Sequence, residues 1–265
     1  MPTAYSHDAI GTDCFHDVRR RAPVVHEVAH QWWGDAVTER DWDDVWLSEG
    51  FATYFAHLFT EHVNGRDAFV KAIKADIPAI VKEQQELPGT PIVHRNLSDM
   101  TRVLNRLVYQ KAGWTLHMLR GLVGTETFWT GIREYYRRFK DGNASTADFR
   151  QVMEQAASRP LSWFFDQWLT RAGIPTVSGG WRYDAATRQV VLDLSQTQTE
   201  DTFRLPIEVG LTMANGQMRV ERVELAERNS RLTLASEAAP VAVTLDPNTW
   251  VLMQAGPFVR RDGHR

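Results

Sequence analysis

The chain has 265 residues, of which 43% are hydrophobic, and a formal net charge of −3. This length is enough to bury the core of one large domain or two small ones. The near-neutral charge argues against nucleic acid or an anionic membrane as the partner. The single cysteine, Cys14, excludes an intrachain disulfide. We find no apolar run long enough for a membrane helix and no signal-peptide pattern, which leaves the compartment unknown.

The residues before position 173 show helical periodicity. We predict helices over residues 13–33, 49–63, 67–86, 98–123, 126–140, 146–157 and 161–172. Asn64-Gly65 and Leu87-Pro88-Gly89 are stop signals for two of them. Residues 1–172 are therefore predicted to form one helical module.

After Pro175 the apolar residues follow the period of two that is typical of strands. We predict strands over residues 180–183, 189–194, 203–213, 217–225, 231–235, 241–245 and 250–253. Ala214-Asn215-Gly216 is predicted to form the turn of a hairpin. Residues 173–265 are thus predicted to form a small antiparallel β-sandwich, and the fold class is α+β.

The segment from His26 to His30 has the pattern His-Glu-x-x-His. Residues four apart share one face of a helix, so both imidazoles can reach a single ion. Glu27, next to His26, is placed to take a proton from water at that ion. A solvated helix can also carry these five residues by chance, so the pattern alone leaves both interpretations open.

A third candidate ligand, Glu49, follows His30 after eighteen residues and lies at the start of the next predicted helix. Two histidines, one glutamate and an open position for water make the catalytic zinc set of the thermolysin type. An isolated glutamate in a first helical turn is also explained by the helix dipole. The combination with the histidine pair favours a metal site.

Four segments resemble the M1 family of zinc aminopeptidases, which are gluzincins. Residues 24–35 and 46–55 resemble the family signature, which is HExxH, eighteen residues, and a glutamate inside W-L-N-E-G-F-A; this chain has W-L-S-E-G-F-A there. Residues 108–114 are similar to the family's Y-x-K-G-A segment, and residues 163–169 to the end of its helical lobe. The resemblance implies a thermolysin-like catalytic lobe over residues 1–172, followed by the β-sandwich.

The resemblance also implies a mechanism. One zinc ion is expected at His26, His30 and Glu49, with Glu27 as the general base. Tyr109 is expected to stabilise the oxyanion of the tetrahedral intermediate. By its residues alone, Tyr109 fits equally well as a core aromatic on an amphipathic helix. Asp35, Asp43 and Asp44 are candidates for orienting the imidazoles, and the sequence does not choose among them.

The chain also departs from the family. The G-x-M-E-N segment that precedes the zinc helix, and whose glutamate binds the substrate's amino terminus, has no match in residues 1–25. The family's N-terminal β domain is missing as well. We therefore expect an open cleft, with endopeptidase action as an option. A homodimer or a partner chain is expected to cover the surface left by the missing half. Smaller departures are Ser48 in place of Asn and Ala112-Gly113 in place of Gly-Ala.

Two main hypotheses follow. The first is a zinc metallopeptidase that acts on peptides, either at the amino terminus or internally. The second is a truncated homologue that binds zinc but serves as a non-catalytic binding or assembly module, or as half of a split enzyme. A hydrolase of other amides or esters is a third option, since activated water attacks any suitably placed carbonyl.

Overall fold

The computed structural model describes residues 18–94 and 103–261, with the side chains of residues 18–22 left out. Contacts divide the chain into two compact units, with the division between Ala172 and Gly173. Helices make up the first unit apart from two short strands, and strands make up the second. The predicted α+β fold class is therefore confirmed.

The first unit contains eight α-helices within its described residues. They are α1 (Val18–Ala29), α2 (Trp46–Asn64), α3 (Arg66–Ala75), α4 (Ile77–Glu86), α5 (Ala112–Val123), α6 (Thr125–Phe139), α7 (Thr146–Ala157) and α8 (Ser162–Leu169). A 3₁₀ turn at Trp42–Asp44 precedes α2, and a π-helical turn at Leu107–Lys111 precedes α5. Among the described residues, no helix has both the length and the apolar character needed to cross a membrane.

Several predicted helices end at other residues in the structure; the one predicted over 13–33 ends at Ala29, and the one predicted over 161–172 ends at Leu169. Two further predictions differ more. The prediction of a single helix over 67–86 is wrong, because the helix is interrupted at Asp76, between α3 and α4. Pro78 explains the break: inside a continuous helix its ring would clash with the preceding turn, whereas the first turn of a new helix accepts it. The helix predicted over 98–123 begins outside the described residues. Its described part enters α5 through the π-helical turn.

Helix α2 is the centre of the first unit. Its residues are apolar on most sides, and Trp46, Phe51 and Tyr54 are fully buried. Such a helix must be surrounded by other elements, and α2 packs against α1, α3 and α5. Its burial fixes the direction in which its first turn, with Glu49, faces α1.

The start of α2 is held by contacts that are distant in sequence. Strands β1 (Val37–Glu39) and β2 (Gly142–Ala144) form a two-stranded parallel sheet between the α1–α2 connection and the start of α7. The Asp44 carboxylate accepts hydrogen bonds from the backbone N–H (2.9 Å) and the hydroxyl (2.6 Å) of Thr146. These contacts satisfy polar groups at the start of α7 and anchor the connection that leads to Glu49.

Within its described residues, the second unit has seven strands in two sheets. The strands are β3 (Thr176–Asp184), β4 (Gln189–Gln196), β5 (Leu205–Thr212), β6 (Met218–Leu225), β7 (Asn229–Ala235), β8 (Ala242–Leu245) and β9 (Gln254–Arg260). One sheet has the order β7-β4-β3-β9 and the other β6-β5-β8. The neighbouring strands are antiparallel except β3 and β9, which run parallel. The predicted β5–β6 hairpin is present, and Gly216 in its turn has a φ of 81°.

The strand predicted over 250–253 is wrong. The Asp246 carboxylate accepts hydrogen bonds from the backbone N–H groups of Trp250 and Val251, each at 2.8 Å. Those donors are therefore used in a local turn rather than in a sheet. The last strand instead spans Gln254–Arg260 and pairs with β3.

Candidate metal centre

Helix periodicity and the first turn of α2 bring three potential ligand atoms together. His26 and His30 lie on one face of α1, and Nε2 of one is 3.1 Å from Nε2 of the other. The Glu49 carboxylate oxygen Oε2 is 3.1 Å from His26 Nε2 and 3.3 Å from His30 Nε2. Among the described residues, these three are the histidine, cysteine and acidic side chains that lie close enough together to share a metal ion.

The triangle of ligand atoms has the size that zinc requires. Two ligands of a tetrahedral ion with bonds of about 2.0–2.1 Å lie about 3.3–3.4 Å apart. The observed separations of 3.1–3.3 Å are close to this edge length. All three side chains are partly exposed, between 14% and 20%, so a fourth position is accessible to water. The donor set and its spacing therefore fit a catalytic zinc ion.

The second ring nitrogen of His30 fixes its tautomer. His30 Nδ1 is 2.9 Å from the main-chain carbonyl oxygen of Trp33 and 3.1 Å from the Ser48 hydroxyl. A carbonyl oxygen only accepts, so Nδ1 carries the proton and Nε2 keeps its lone pair for a metal. The Ser48 hydroxyl in turn donates to the same carbonyl at 3.2 Å, which leaves its oxygen able to accept from Nδ1. Ser48 and the Trp33 carbonyl thus orient His30 for metal binding.

Gly34 makes this arrangement possible. Its φ of 123° is in the region that favours glycine. A Cβ at this position would come within 2.6 Å of the Ser48 hydroxyl oxygen and 3.2 Å of His30 Nδ1. Any larger residue at position 34 would therefore push apart the groups that orient the imidazole.

Of the three aspartates proposed from the sequence as orienting groups, two have other partners and, within the described residues, the third has a buried oxygen without a hydrogen bond. Asp35 accepts a hydrogen bond from the Gln31 side chain at 3.0 Å, and Asp44 holds the start of α7. Asp43 has a buried oxygen with no partner in the described part of the chain. The contact to His26 Nδ1 comes from the Thr53 hydroxyl, at 3.5 Å. Ser48 was visible in the sequence only as a departure from the family pattern.

Tyr109 lies beside the ligands and not in the core. Its ring stacks on His26 with centroids 5.8 Å apart and planes 20° apart, and its hydroxyl lies close enough to the Glu49 carboxylate to interact with it. Burial raises the pKa of the Tyr109 hydroxyl to about 12, and the charges of Glu49 and Glu27 act in the same direction. The hydroxyl therefore stays protonated near neutral pH, as a donor must.

The carboxylates near the candidate ligand atoms differ in exposure and in surroundings. Burial raises the pKa of Glu49, but its interactions with His26, Tyr109 and His30 outweigh the effect of burial, so the pKa lies below its usual value. Glu27 is exposed on α1 next to His26, and its charge acts on Tyr109. Glu39 was not considered from the sequence. It is half-buried, and desolvation raises its pKa, assisted by the charge of Glu49.

Comparison with known proteins gives matches over most of the chain. The model of the family described as "Peptidase family M1 domain" matches residues 11–168. Glutamyl aminopeptidase of Mus musculus is 29% identical over 228 residues, which is 85% of this chain and 23% of that protein. Aminopeptidase N of Streptomyces lividans is 31% identical over 179 residues, which is 62% of this chain and 20% of that protein. The chain thus spans about a quarter or less of the length of these curated relatives.

A solved structure shows a similar fold. It is the aminopeptidase A of Legionella pneumophila in complex with aspartic acid, with a TM-score of 0.73 and 20% sequence identity. The similarity covers 90% of this chain and 27% of that one. At this level of identity the comparison supports the fold of the chain and carries no information about its substrate.

Proposed function

The chain belongs to peptidase family M1, and we propose that it hydrolyses peptide bonds with one zinc ion held by His26, His30 and Glu49. The observation that carries this proposal is the triangle of three ligand atoms 3.1–3.3 Å apart, with the Tyr109 ring stacked on one of the ligands, His26. We also propose that residues 1–172 form the catalytic lobe and residues 173–265 an accessory β domain.

Zinc at this site would supply Lewis-acid chemistry, because it lowers the pKa of water and polarises a carbonyl oxygen. Glu27 is proposed as the general base, since it is exposed on α1 directly after His26. Its carboxylate takes a proton from the attacking water and delivers it to the nitrogen of the leaving amine. The water oxygen forms the new C–O bond, and the C–N bond breaks as the proton arrives.

Tyr109 is proposed to stabilise the transition state. Its hydroxyl is protonated and interacts with the Glu49 carboxylate. During attack on the carbonyl, negative charge develops on the carbonyl oxygen, and the hydroxyl would donate a hydrogen bond to that oxygen. A donor that is already oriented makes such a contact with little reorganisation.

Peptides are the proposed substrates, because the matched relatives are named as aminopeptidases. The position of the cleaved bond is to be determined with two peptides that differ only in a free or an acetylated amino terminus. Cleavage of the free peptide alone would assign an aminopeptidase, and cleavage of both an endopeptidase. A chelator should abolish either activity, and added zinc should restore it.

The decisive variant is Glu27→Gln, which keeps the shape of the side chain and removes the base. We expect kcat to fall by about 10²–10⁴-fold, the usual contribution of a general base, while bound zinc remains at one ion per chain. Glu126→Gln, at an exposed position in the first turn of α6, is the matched control and should retain the wild-type rate. Wild-type activity of Glu27→Gln would overturn the mechanism. A zinc-loaded wild-type chain that cleaves neither peptide would instead support a non-catalytic zinc-binding module.

A further inference from the structure

Lys111 is a buried lysine that the proposed reaction does not use. Its side chain is fully buried, and its ammonium nitrogen Nζ donates a hydrogen bond to the main-chain carbonyl of Arg171 at 3.1 Å. Burying an amine costs free energy that an apolar side chain of similar length avoids. Burial and the charge of the Arg171 guanidinium accordingly lower the pKa of Lys111 to about 7. Because burying this amine destabilises the fold, its position needs an explanation in terms of the contacts that it makes.

Lys111 ends the π-helical turn that carries Tyr109. In this turn, the backbone N–H of Ala112 reaches back to the carbonyl of Leu107 five residues earlier. π-Helical turns are rare, and they are found mostly at functional sites, where the extra residue changes the direction of a side chain. The turn from Leu107 to Lys111 therefore decides where the Tyr109 hydroxyl lies, and contacts outside the turn must hold it.

The turn is held from two sides. On one side it leads into Ala112, which packs so closely on Gly50 that a Cβ there would lie 2.6 Å from the Ala112 Cβ. Gly50 follows the ligand Glu49 directly, so this contact sets the distance between Tyr109 and the metal centre. On the other side the Lys111 ammonium reaches the chain just beyond α8, at Arg171. A flexible four-carbon stem with a charged donor can make that long contact, whereas an apolar residue cannot.

We propose that Lys111 is a positioning residue for Tyr109: its hydrogen bond to the Arg171 carbonyl anchors the π-helical turn, so that the Tyr109 hydroxyl stays beside Glu49. This inference deepens the proposed function and rests on it where catalysis is measured. It requires the effect of Lys111 on turnover to pass through Tyr109. It also requires the turn to loosen when the anchor is removed, whether or not the protein is a peptidase.

The first test is a double-mutant cycle on the zinc-loaded full chain with Lys111→Met and Tyr109→Phe. Lys111→Met should lower kcat about tenfold, less than the loss of the hydroxyl itself, with KM and zinc affinity unchanged. In the Tyr109→Phe background the same substitution should lower kcat by less than twofold, because residues that act through one contact are not additive. Equal losses in both backgrounds would overturn the proposal and leave Lys111 with a general structural role.

His117→Phe is the control for this cycle. His117 is as deeply buried as Lys111, lies on α5, and contacts the Tyr54 hydroxyl at 3.1 Å. Its substitution disturbs a buried polar contact elsewhere in the unit. Any loss of kcat in this variant should therefore be equal in the wild-type and the Tyr109→Phe backgrounds. A cycle for His117 as non-additive as that for Lys111 would overturn the specific link between Lys111 and Tyr109.

The second test needs no activity, so it separates this inference from the proposed function. Hydrogen–deuterium exchange should show the amides of residues 107–112 exchanging at least tenfold faster in Lys111→Met than in the wild type. The same amides should exchange at the wild-type rate in His117→Phe. Unchanged exchange in Lys111→Met would overturn the anchoring role even in an active enzyme. An inactive wild-type chain with the expected exchange pattern would contradict the proposed function but support the anchoring role of Lys111.

Discussion

The metal centre and the Tyr109 turn lie side by side but are built in different ways. His26, His30 and Glu49 are placed by regular α-helices, and their ligand atoms meet because of helix periodicity and the packing of α1 on α2. Tyr109 is placed by an irregular π-helical turn, which is held by a buried lysine and by close packing on Gly50. Because of this difference, we expect the proposed metal affinity and the proposed turnover to have separable structural determinants.

Removal of a ligand should have the largest effect, and it should appear in metal binding. We expect Glu49→Gln to weaken zinc binding on the order of 1000-fold, well beyond the roughly 10- to 100-fold typical of a residue behind the ligands. The amide keeps the size of the side chain but loses the charge that attracts the ion. Competition with a chromophoric chelator measures the affinity. Wild-type affinity in Glu49→Gln would show that the carboxylate is no ligand.

Removal of the Tyr109 hydroxyl should affect turnover and not the metal. We expect Tyr109→Phe to lower kcat about 10²–10³-fold, as for the loss of one oxyanion donor, with zinc affinity and KM close to wild type. Steady-state kinetics with a zinc titration give all three values. Tyr183→Phe, which removes a hydroxyl that donates to Ser236 in the second unit, serves as the control. If Tyr109→Phe instead abolished zinc binding, the two regions would not be separable.

Ser48 tests whether the orientation of a ligand matters as much as its identity. We expect Ser48→Ala to weaken zinc binding about 10- to 100-fold, because His30 loses a partner at Nδ1 while the Trp33 carbonyl remains. Thr60→Val is a matched control on α2, since that hydroxyl bonds to Ala56 in its own helix. The chelator competition that serves for Glu49→Gln applies here too. Equal affinities of Ser48→Ala and wild type would assign the orientation of His30 to the main-chain carbonyl alone.

Lys111 should also make the free energy of unfolding depend on pH, which is an effect on stability and not on metal affinity or turnover. The pKa of Lys111 is lowered to about 7 in the folded chain, below its usual value of 10.5. Between these values the unfolded chain binds more protons at this position, so the Lys111 contribution to stability rises with pH from about 7 to 10.5. Lys111→Met should remove that rise. Urea unfolding of both proteins at pH 7 and pH 10, with chelator present, measures the difference, and equal pH slopes would contradict the prediction.

The sequence predicted the fold class well and the exact boundaries less well. Period-two alternation after Pro175 correctly indicated strands, and the β5–β6 hairpin follows from Asn215-Gly216. The strand predicted over 250–253 failed because the side chain of Asp246, which lies just before it, binds the backbone there. Periodicity does not report such side-chain-to-backbone bonds.

The candidate site shows a division between local pattern and distant contact. The spacing of His26, Glu27 and His30 by itself determined that the two imidazoles share a face, because that depends only on helix geometry. The first-turn position of Glu49 was visible for the same reason. The proximity of Glu49 to the two histidines depends on how the helices pack, and the family signature was the only feature of the sequence that indicated this packing.

The tertiary structure alone decided which groups support the ligands and the tyrosine. The sequence offered three aspartates as orienting groups, whereas the folded chain uses Ser48 and the Trp33 carbonyl. The structure also has a π-helical turn at Tyr109, where the sequence predicted a regular helix. Lys111 in this turn bonds to Arg171, which is sixty residues further along the chain. Helix periodicity is fixed by neighbouring residues, but a hydrogen bond between distant segments exists only once the chain has packed.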